Sequence, residues 1–563
     1  KMDRQLKPSM AVPISTRSRV KSREARHSRQ LAAKRRRHLR NLLLSAMLLA
    51  LLACALLVYP IEAPQSVAAE GPAVPTAVAL HPEESTSPVP TEAIPVQENP
   101  IAIQETAGPE TPEPQPIENQ AALVSASQNA PILYYAQSGD SLDVLALRFG
   151  VSVNDISSPD LLPDRGFLPE GQLLLIPSTL TDVSLNLRLF PDSEVINSPS
   201  AIDFDLAGFI QQAGGKLATY YESVYGYGYL SGAEIVQLVA QEYSIHPRLL
   251  LALLEYQGDW VYGYPVTYNQ EEYPMGFVQS GQDSLYKQLI LAAGALGTGY
   301  YGWREGTLLG LKFPDGTHLR LAPELNCGTV AWMYFFAQTQ NFDAWNQSLY
   351  SDSSLLATYE AMFGNPWLIA QQYASLFTPQ LVQPELALPF EPGVIWSFTS
   401  GPHAAWGAVQ VRAALDFAPP MDAPGCRPTN DWVVAVSPGL VVRSQNGAVV
   451  VDMDGDGDER TGWNILYMHI ATEGRVPVGT WVETGDRIGH PSCEGGASTG
   501  THTHIARKYN GEWIPADGPL AFNLGGWIAK ADSQPYLGWL VKGDQVVKSS
   551  LVGATASHIW QGK

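Results

Sequence analysis

The sequence predicts a multidomain chain whose secondary-structure class changes from the N-terminus to the C-terminus. An apolar run near the N-terminus is long enough to form one membrane-spanning helix, and the segment after it is rich in proline and glutamate. Apolar residues at helical spacing dominate the middle of the chain, whereas the C-terminal third has strand-like segments and several histidines. We therefore expect, in order, a transmembrane helix, a small mixed module, a helical domain and a β-rich domain.

Charge is distributed unevenly along the 563 residues, whose net charge is −20. Residues 1–40 contain 14 Lys and Arg and directly precede the uncharged apolar stretch 41–60, after which no Lys or Arg occurs until Arg148. This asymmetry predicts a single-pass cell-membrane protein with a cytoplasmic N-terminus and an extracytoplasmic remainder. A cleaved signal peptide and a lipid-modified Cys54 are the alternatives. The acidic remainder disfavours nucleic acid as a partner.

Residues 61–131 form a segment rich in Pro, Ala, Glu and Thr, without hydrophobic periodicity. Such a composition cannot bury an apolar core, so we expect a disordered linker. At about 3.1 Å per residue when extended, the linker would reach on the order of 200 Å from a membrane. Disorder without any spacing role is the alternative.

Residues 132–178 carry the pattern of a strand, two helices and a second strand. Apolar residues at helical spacing follow a short strand, and a Pro-broken loop leads to the final strand. The module resembles a LysM domain through three motifs: Gly139-Asp140-Ser141-Leu142, Arg148-Phe149-Gly150-Val151 and the segment 171–177. The resemblance implies a β-α-α-β fold that binds glycans containing N-acetylglucosamine. A module that serves only as a spacer remains open.

The segment 200–390 predicts a helical domain. Ser231 and Glu234 form a capping box before one amphipathic helix, and a very apolar helix follows from His246 to Gln257. Its late carboxylate, Glu255, precedes a loop rich in Tyr and Trp. This arrangement is faintly similar to lysozyme-like lytic transglycosylases, which implies that Glu255 is a general acid of raised pKa. A glycan-binding or spacer domain is the alternative.

The segment 391–530 contains the residues that point to a metal. His502 and His504 stand at i and i+2 at the start of a predicted strand, so both side chains should face one cavity. Imidazole is the commonest protein ligand of zinc, and a catalytic zinc usually takes three N or O ligands and keeps one position for water. His403, Asp416 and one member of the pair would complete such a set.

The order of motifs in this segment extends the pattern. The motifs are Ala414-Leu415-Asp416-Phe417-Ala418, Ser437-Pro438-Gly439, Leu466-Tyr467-Met468-His469, Val478-Gly479-Thr480 and Gly500-Thr501-His502-Thr503-His504. In this order they resemble the LytM/lysostaphin-type (M23) zinc endopeptidases, a family of peptidoglycan hydrolases. The resemblance implies an antiparallel all-β metallopeptidase domain with zinc as its cofactor. It also implies that Asp416 and His504 are zinc ligands and that His469 and His502 are catalytic histidines without a metal bond.

The first zinc ligand departs from this family pattern. The family usually places a histidine three residues before the aspartate, and Arg412 stands near that place here. A guanidinium is always charged and cannot bind zinc, so His403 is the nearest substitute. Because twelve residues separate His403 from Asp416, the chain would have to loop out and return.

Two further features of the segment predict structure outside the zinc set. Cys426 and Cys493 could form a disulfide in an extracytoplasmic domain, whereas metal ligation by them is disfavoured because no CxxC pair exists. A run of alternating carboxylates looks like the start of an EF-hand calcium loop, although the twelfth position is Trp463. A bound calcium and an acidic turn at the tip of a long hairpin are both open. The carboxylates of this run are Asp452, Asp454, Asp456 and Asp458.

Together these features predict a cell-envelope peptidoglycan hydrolase. We expect a membrane-anchored zinc endopeptidase that cuts peptide cross-bridges, with the LysM-like module for glycan targeting and 531–563 as a short tail. Two alternatives remain, a non-catalytic wall-binding scaffold that regulates other hydrolases and a bifunctional enzyme in which Glu255 also cleaves glycan.

Overall fold

The computed structural model describes residues 131–378, 380–407, 411–422 and 425–562. The predictions for 1–40, for 41–60 and for all but the last residue of the linker lie outside them. No helix in the described part of the chain combines the length and the apolar character needed to cross a membrane.

The described residues form α-helices mainly before residue 371 and strands mainly after residue 395. The helices are α1 (Leu142–Phe149), α2 (Leu206–Ala213), α3 (Gly232–Tyr243), α4 (Pro247–Gly258), α5 (Tyr268–Glu272), α6 (Leu285–Arg304), α7 (Cys327–Ala337), α8 (Phe342–Tyr350), α9 (Leu355–Phe363) and α10 (Pro366–Ala370). The early strands are β1 (Ile132–Tyr135), β2 (Leu173–Ile176), β3 (Tyr221–Val224), β4 (Gly228–Ser231), β5 (Gly310–Lys312) and β6 (His318–Arg320). The later strands are β7 (Trp396–His403), β8 (Ala414–Ala418), β9 (Val433–Val434), β10 (Gly439–Gln445), β11 (Ala448–Asp452), β12 (Trp463–Met468), β13 (Trp481–Val482), β14 (Arg487–Gly489), β15 (Thr503–Tyr509), β16 (Glu512–Trp513), β17 (Asn523–Leu524), β18 (Trp527–Ala531), β19 (Gly538–Lys542), β20 (Gln545–Lys548) and β21 (His558–Ile559).

The small N-terminal module consists of β1 and β2, paired antiparallel, with α1 between them in sequence. The second predicted helix is only a 3₁₀ turn, Val153–Asp155, because Ser157 already pairs with Leu175 of β2 and leaves no room for more turns. The buried guanidinium of Arg148 donates to Asp140 (2.9 Å) and to the carbonyl of Trp303 (2.8 Å). The buried guanidinium of Arg148 therefore links the module to α6 of the helical domain.

The helical domain forms where the sequence predicts helices. The Ser231–Glu234 capping box begins α3, and Pro247 occupies the first turn of α4, where its missing N–H costs nothing. α6 packs closely along α7, because a Cβ at Gly299 would lie 2.7 Å from the Cβ of Tyr334. The core of this domain is continuous with one face of the C-terminal sheet.

The C-terminal domain is built on an antiparallel sheet of nine strands. Its order is β13-β10-β11-β12-β15-β8-β7-β21, and β16 pairs with β15. Side chains alternate across it as period two requires. One face holds the core of this domain, for example Leu415, Val449 and Ile505, and the other meets the helical domain through Ala414, Val450, Leu466, Met468 and Ala506.

The prediction that residues 531–563 form only a short tail is wrong. β19 and β20 form a tight hairpin whose register pairs Lys542 with Gln545, and with β17 and β18 they make a four-stranded sheet. β21 then pairs with β7, so the domain continues to Ile559. The physical reason is a pair of short apolar runs, 539–541 and 546–547, on either side of a Gly543-Asp544 turn, which is a hairpin pattern.

Candidate metal centre

Three strands bring the predicted zinc ligands to one place on the sheet. His403 is the last residue of β7, Asp416 is the middle residue of β8, and His504 lies in β15. The β7–β8 hairpin pairs His403 with Ala414, and the β8–β15 ladder pairs Asp416 directly with His504. The excursion between His403 and Asp416 is thus the loop of a hairpin, which returns the aspartate to the histidine.

The facing atoms of these three side chains form a nearly equilateral triangle. His403 Nε2 lies 3.1 Å from His504 Nδ1, and each of these nitrogens lies 3.2 Å from Asp416 Oδ1. A tetrahedral zinc with bonds of about 2.0–2.1 Å separates its ligand atoms by about 3.4 Å. The triangle therefore has the size that such an ion requires.

The hydrogen bonds made outside the triangle determine which ring nitrogen of each histidine faces its centre. His403 Nδ1 donates to the carbonyl of Gly401 (2.9 Å), and His504 Nε2 donates to that of Ala405 (3.0 Å). Each ring therefore directs its unprotonated nitrogen inward, in the way that outer partners orient metal-binding imidazoles. Asp416 Oδ1 is buried and accepts no hydrogen bond. Two ring nitrogens and a carboxylate oxygen therefore converge on one point, and a zinc ion fits this set.

Burial and charge act differently on the three side chains. Burial opposes protonation of His403, but the carboxylate of Asp416 raises the pKa of this imidazole, so a bound cation would compete with a proton there. His403, Asp416 and His504 are 4%, 6% and 6% exposed. Burial opposes ionisation of Asp416, but His403 and the other neighbouring imidazoles hold its pKa well below its usual range. Burial also lowers the pKa of His504. At neutral pH the carboxylate is charged and His504 is neutral.

His469 and His502 lie beside the triangle. His469 follows β12 with a φ of 61° and donates through Nδ1 to the carbonyl of Glu494 (2.8 Å), and His502 donates through Nδ1 to that of Gly500 (2.7 Å). Their ring centres are 4.4 Å apart, and His502 Nε2 is 3.7 Å from Asp416 Oδ2. Burial and the neighbouring histidines lower the pKa of His469 to about 3. Each ring therefore keeps Nε2 as a proton acceptor next to the triangle.

The predicted cysteine pair is a disulfide in the structure. Cys426 and Cys493 are joined, with their Cα atoms 5.7 Å apart. Thr501, which directly precedes His502, accepts from the backbone of Arg427 (2.8 Å) and donates to the same residue's carbonyl (2.6 Å). The disulfide and these bonds tie the segment before the histidine pair to the 425–427 turn.

The helical domain packs on the face of the sheet that carries the predicted metal ligands. Met468 pairs with His504 across β12 and β15, and Ala506 lies two residues further on the same face; both belong to the core of the helical domain. The side chain of Tyr243 approaches Gly407 in the β7–β8 loop so closely that a Cβ there would clash with its hydroxyl. The helical domain therefore packs on the same face of the sheet, directly beside the triangle.

The remaining predicted site residues lie elsewhere. Glu255 Oε2 accepts from the backbone N–H groups of Val261 (2.9 Å) and Tyr262 (3.0 Å), so this carboxylate braces the loop after α4, and its catalytic role stays a prediction. Arg412 donates to the carbonyls of Asp532 and Ser533 and makes no contact with the triangle.

One neighbour of the metal ligands was missed by sequence reasoning. The ring of Tyr536 stacks on His403 with centres 4.6 Å apart, and its backbone N–H donates to the carbonyl of Pro402 (3.3 Å). Tyr536 belongs to the segment predicted as a tail. No spacing rule links it to the histidines, and only the β18–β19 connection places it there.

Comparisons with known proteins concern both large domains. Residues 188–377 match the family described as the LasA N-terminal domain. Pseudoalterin, described as a novel M23 metalloprotease from the deep sea, is 20% identical over 30% of this chain and 96% of its own, with a TM-score of 0.24. The catalytic domain of lysostaphin from Staphylococcus simulans is 23% identical over 23% of this chain and 89% of its own, with a TM-score of 0.16. The catalytic domain of the prophage-encoded M23 protein EnpA from Enterococcus faecalis is 22% identical over 23% of this chain and 95% of its own, with a TM-score of 0.17. No curated protein matches the chain significantly.

Proposed function

We propose that this chain is a zinc-dependent endopeptidase that cuts the peptides of peptidoglycan. The observation that carries the proposal is the buried triangle of His403, Asp416 and His504, which presents two ring nitrogens and a carboxylate oxygen to a single point. Three protein ligands leave a fourth tetrahedral position for water, the arrangement of catalytic rather than structural zinc.

The side chains beside the triangle suit amide hydrolysis. Zinc in this position would lower the pKa of a bound water toward about 7 and polarise the scissile carbonyl. His469 and His502 each hold Nδ1 on a backbone carbonyl and keep Nε2 free. One of these nitrogens can take the proton of the attacking water. The imidazolium so formed can donate to the oxyanion before it gives the same proton to the leaving amine.

The substrate and the cellular place rest on resemblance and composition. Peptidoglycan follows from the likeness to the lysostaphin-type family, and the 132–178 module would add binding to glycans containing N-acetylglucosamine. The apolar stretch 41–60 and its basic flank support a membrane anchor with the enzyme outside the cytoplasm. The linker between anchor and module would let the enzyme reach a wall layer.

The test is a measurement of zinc and of peptide cleavage on the full chain. We expect about one zinc per chain, lost in His403→Ala and in His504→Ala because either change removes one of three ligands. Cleavage of cross-linked wall peptides should be followed by chromatography before and after limited proteolysis, since the helical domain covers the ligand face. A chain that holds no zinc and cleaves nothing in either form would instead be the wall-binding scaffold. New reducing ends on wall glycan, lost in Glu255→Gln, would support the bifunctional alternative.

A further inference from the structure

The loop between β11 and β12 gathers carboxylates at a distance from the zinc ligands. Asp452 ends β11, and one oxygen from each of Asp452, Asp454 and Asp456 lies within 4.8 Å of the others. Asp452 is fully buried, while the other two reach the surface. Three ionised carboxylates this close repel one another, and a proton or a cation between them relieves the repulsion. Burial and the charge of Asp454 raise the pKa of Asp452 to about 6.

The fourth carboxylate of the predicted calcium set is occupied elsewhere. Asp458 Oδ1 accepts from the backbone N–H (2.9 Å) and from Nε (2.7 Å) of Arg460, and the two side chains form an ion pair. Arg460 also donates to the carbonyl of Ala201 in the helical domain (2.9 Å). Asp458 is therefore paired with Arg460, which contacts the helical domain. It is not a member of the carboxylate cluster, contrary to the sequence-based expectation.

A second observation points to a ligand at the same place. Asn464 lies directly opposite Asp452 in the β11–β12 ladder, so both side chains stand on one face with Cβ atoms about 4.5–5.5 Å apart. Asn464 is 1% exposed, and its Nδ2 donates to the carbonyl of Thr461 at the end of the loop (2.7 Å). Its Oδ1 is buried and has no hydrogen-bond donor. The amide oxygen of Asn464 is thus buried on the face that carries Asp452 and lacks a hydrogen-bond partner.

We infer that this loop binds a calcium ion through the carboxylates of Asp452, Asp454 and Asp456 and the side-chain carbonyl of Asn464. The ion would give Asn464 Oδ1 the partner that it lacks and would neutralise the three carboxylates. In a twelve-residue calcium loop the twelfth residue supplies a bidentate carboxylate, and here that residue is Trp463. Asn464, one residue later on the strand, takes over part of that role.

The ligand chemistry selects calcium among the common cations. The four side chains offer only oxygen, which hard cations prefer, and no nitrogen or sulfur that would hold zinc. Calcium accepts six to eight oxygens in irregular geometry, so water can complete the shell on the exposed side, whereas magnesium demands a near-ideal octahedron. With a neutral amide in place of the bidentate glutamate, we expect a Kd of about 10⁻⁴–10⁻³ M, the range of extracellular calcium modules.

The experiment uses terbium as a luminescent substitute for calcium on the full, zinc-saturated chain. Trp481 packs over the loop, because a Cβ at Gly455 would lie 2.7 Å from its ring. Terbium bound in the loop should therefore emit when tryptophan is excited, and calcium should displace it whereas equal magnesium should not. Asp454→Asn and Asn464→Ala should weaken calcium binding about tenfold or more, since each removes one ligand. Asp458→Asn, which makes the same charge change in the same loop, should alter it less than about twofold.

Three results would overturn the inference. The first is an absence of calcium-displaceable emission from the wild-type chain. The second is an equal loss in Asp458→Asn and Asp454→Asn, which would mean that the cluster only attracts cations to its surface. The third is unchanged binding in Asn464→Ala. Circular dichroism and zinc content establish that each variant is folded, and Asp456→Asn repeats the carboxylate test should Asp454→Asn fail to fold. Calcium should also raise the Tm of wild type and of Asp458→Asn, but not that of Asp456→Asn.

Discussion

Glu459 forms ion pairs with two cationic side chains in the layer between the sheet and the helical domain. Its removal should lower the free energy of unfolding. Arg443 donates to both of its carboxylate oxygens (3.1 and 3.0 Å), Lys508 Nζ lies 3.5 Å away, and Gln241 of α3 donates to it as well. Glu459 and both cations are 4–7% exposed as side chains. The substitution Glu459→Gln keeps the shape of the side chain and removes the carboxylate that pairs directly with both buried cations.

The magnitude follows from the pKa of the carboxyl group. Burial opposes its ionisation, but Arg443 and Lys508 lower its pKa from 4.5 to about 2. At 1.36 kcal/mol for each pH unit, the ionised carboxylate contributes about 3 kcal/mol to the stability of the native chain. Because the pKa is lowered on folding, this contribution is present above pH 4.5 and is lost as the pH falls through about 2.

Urea denaturation at a series of pH values tests this reasoning. At neutral pH the unfolding free energy of Glu459→Gln should be about 3 kcal/mol below that of wild type, and the two should converge as the pH approaches 2. Glu391→Gln is the control, since Glu391 forms an exposed pair with Arg487 and should cost less than about 1 kcal/mol. A difference of less than about 1 kcal/mol at neutral pH, or one that persists unchanged in acid, would refute the argument.

Three further predictions concern the centre and its surroundings. His469→Ala and His502→Ala should each retain about one zinc per chain and lower kcat for peptide cleavage by about 10²–10⁴-fold; zinc loss in either variant would make that histidine a ligand. Cys426→Ser with Cys493→Ser should lower the unfolding free energy by about 2–4 kcal/mol, and an unchanged Tm would contradict a role for the bridge in stability. Ala506→Glu places an unpaired charge under the helical domain and should speed proteolysis between the two domains, with the exposed change Lys530→Glu as control.

The ligand set could be predicted from residue types, but its first member could not be established from them. Alternation along β15 is enough to turn His502 and His504 toward one cavity. The position of His403 depends on the register of the β7–β8 hairpin, which shifts twice, between Phe398 and Ser400 and again before His403. Such irregularities re-aim side chains. Gly401 and Pro402 are residues typical of a bulge, but they do not specify the register that results.

The contacts between distant segments were the least predictable part. Helices α3 and α4 follow from caps and apolar spacing, which act over a few residues. The stacking of Tyr536 on His403 and the docking of the helical domain on the ligand face join segments more than a hundred residues apart. Period and composition show which face of an element is apolar, but they do not name the partner that covers it.

The residues on the covered face of the sheet determine which surface would be exposed to water if the helical domain separated from it. Near the ligands this face presents the small side chains of Ala414, Ala448 and Ala506 together with the larger Val450, Leu466 and Met468. It also carries Arg443 and Lys508. Methyl groups expose little apolar area, and charged groups recover their hydration when water replaces the protein neighbour. Once uncovered, the larger apolar side chains would form an exposed patch beside the predicted ligands, and such a patch favours binding of another chain.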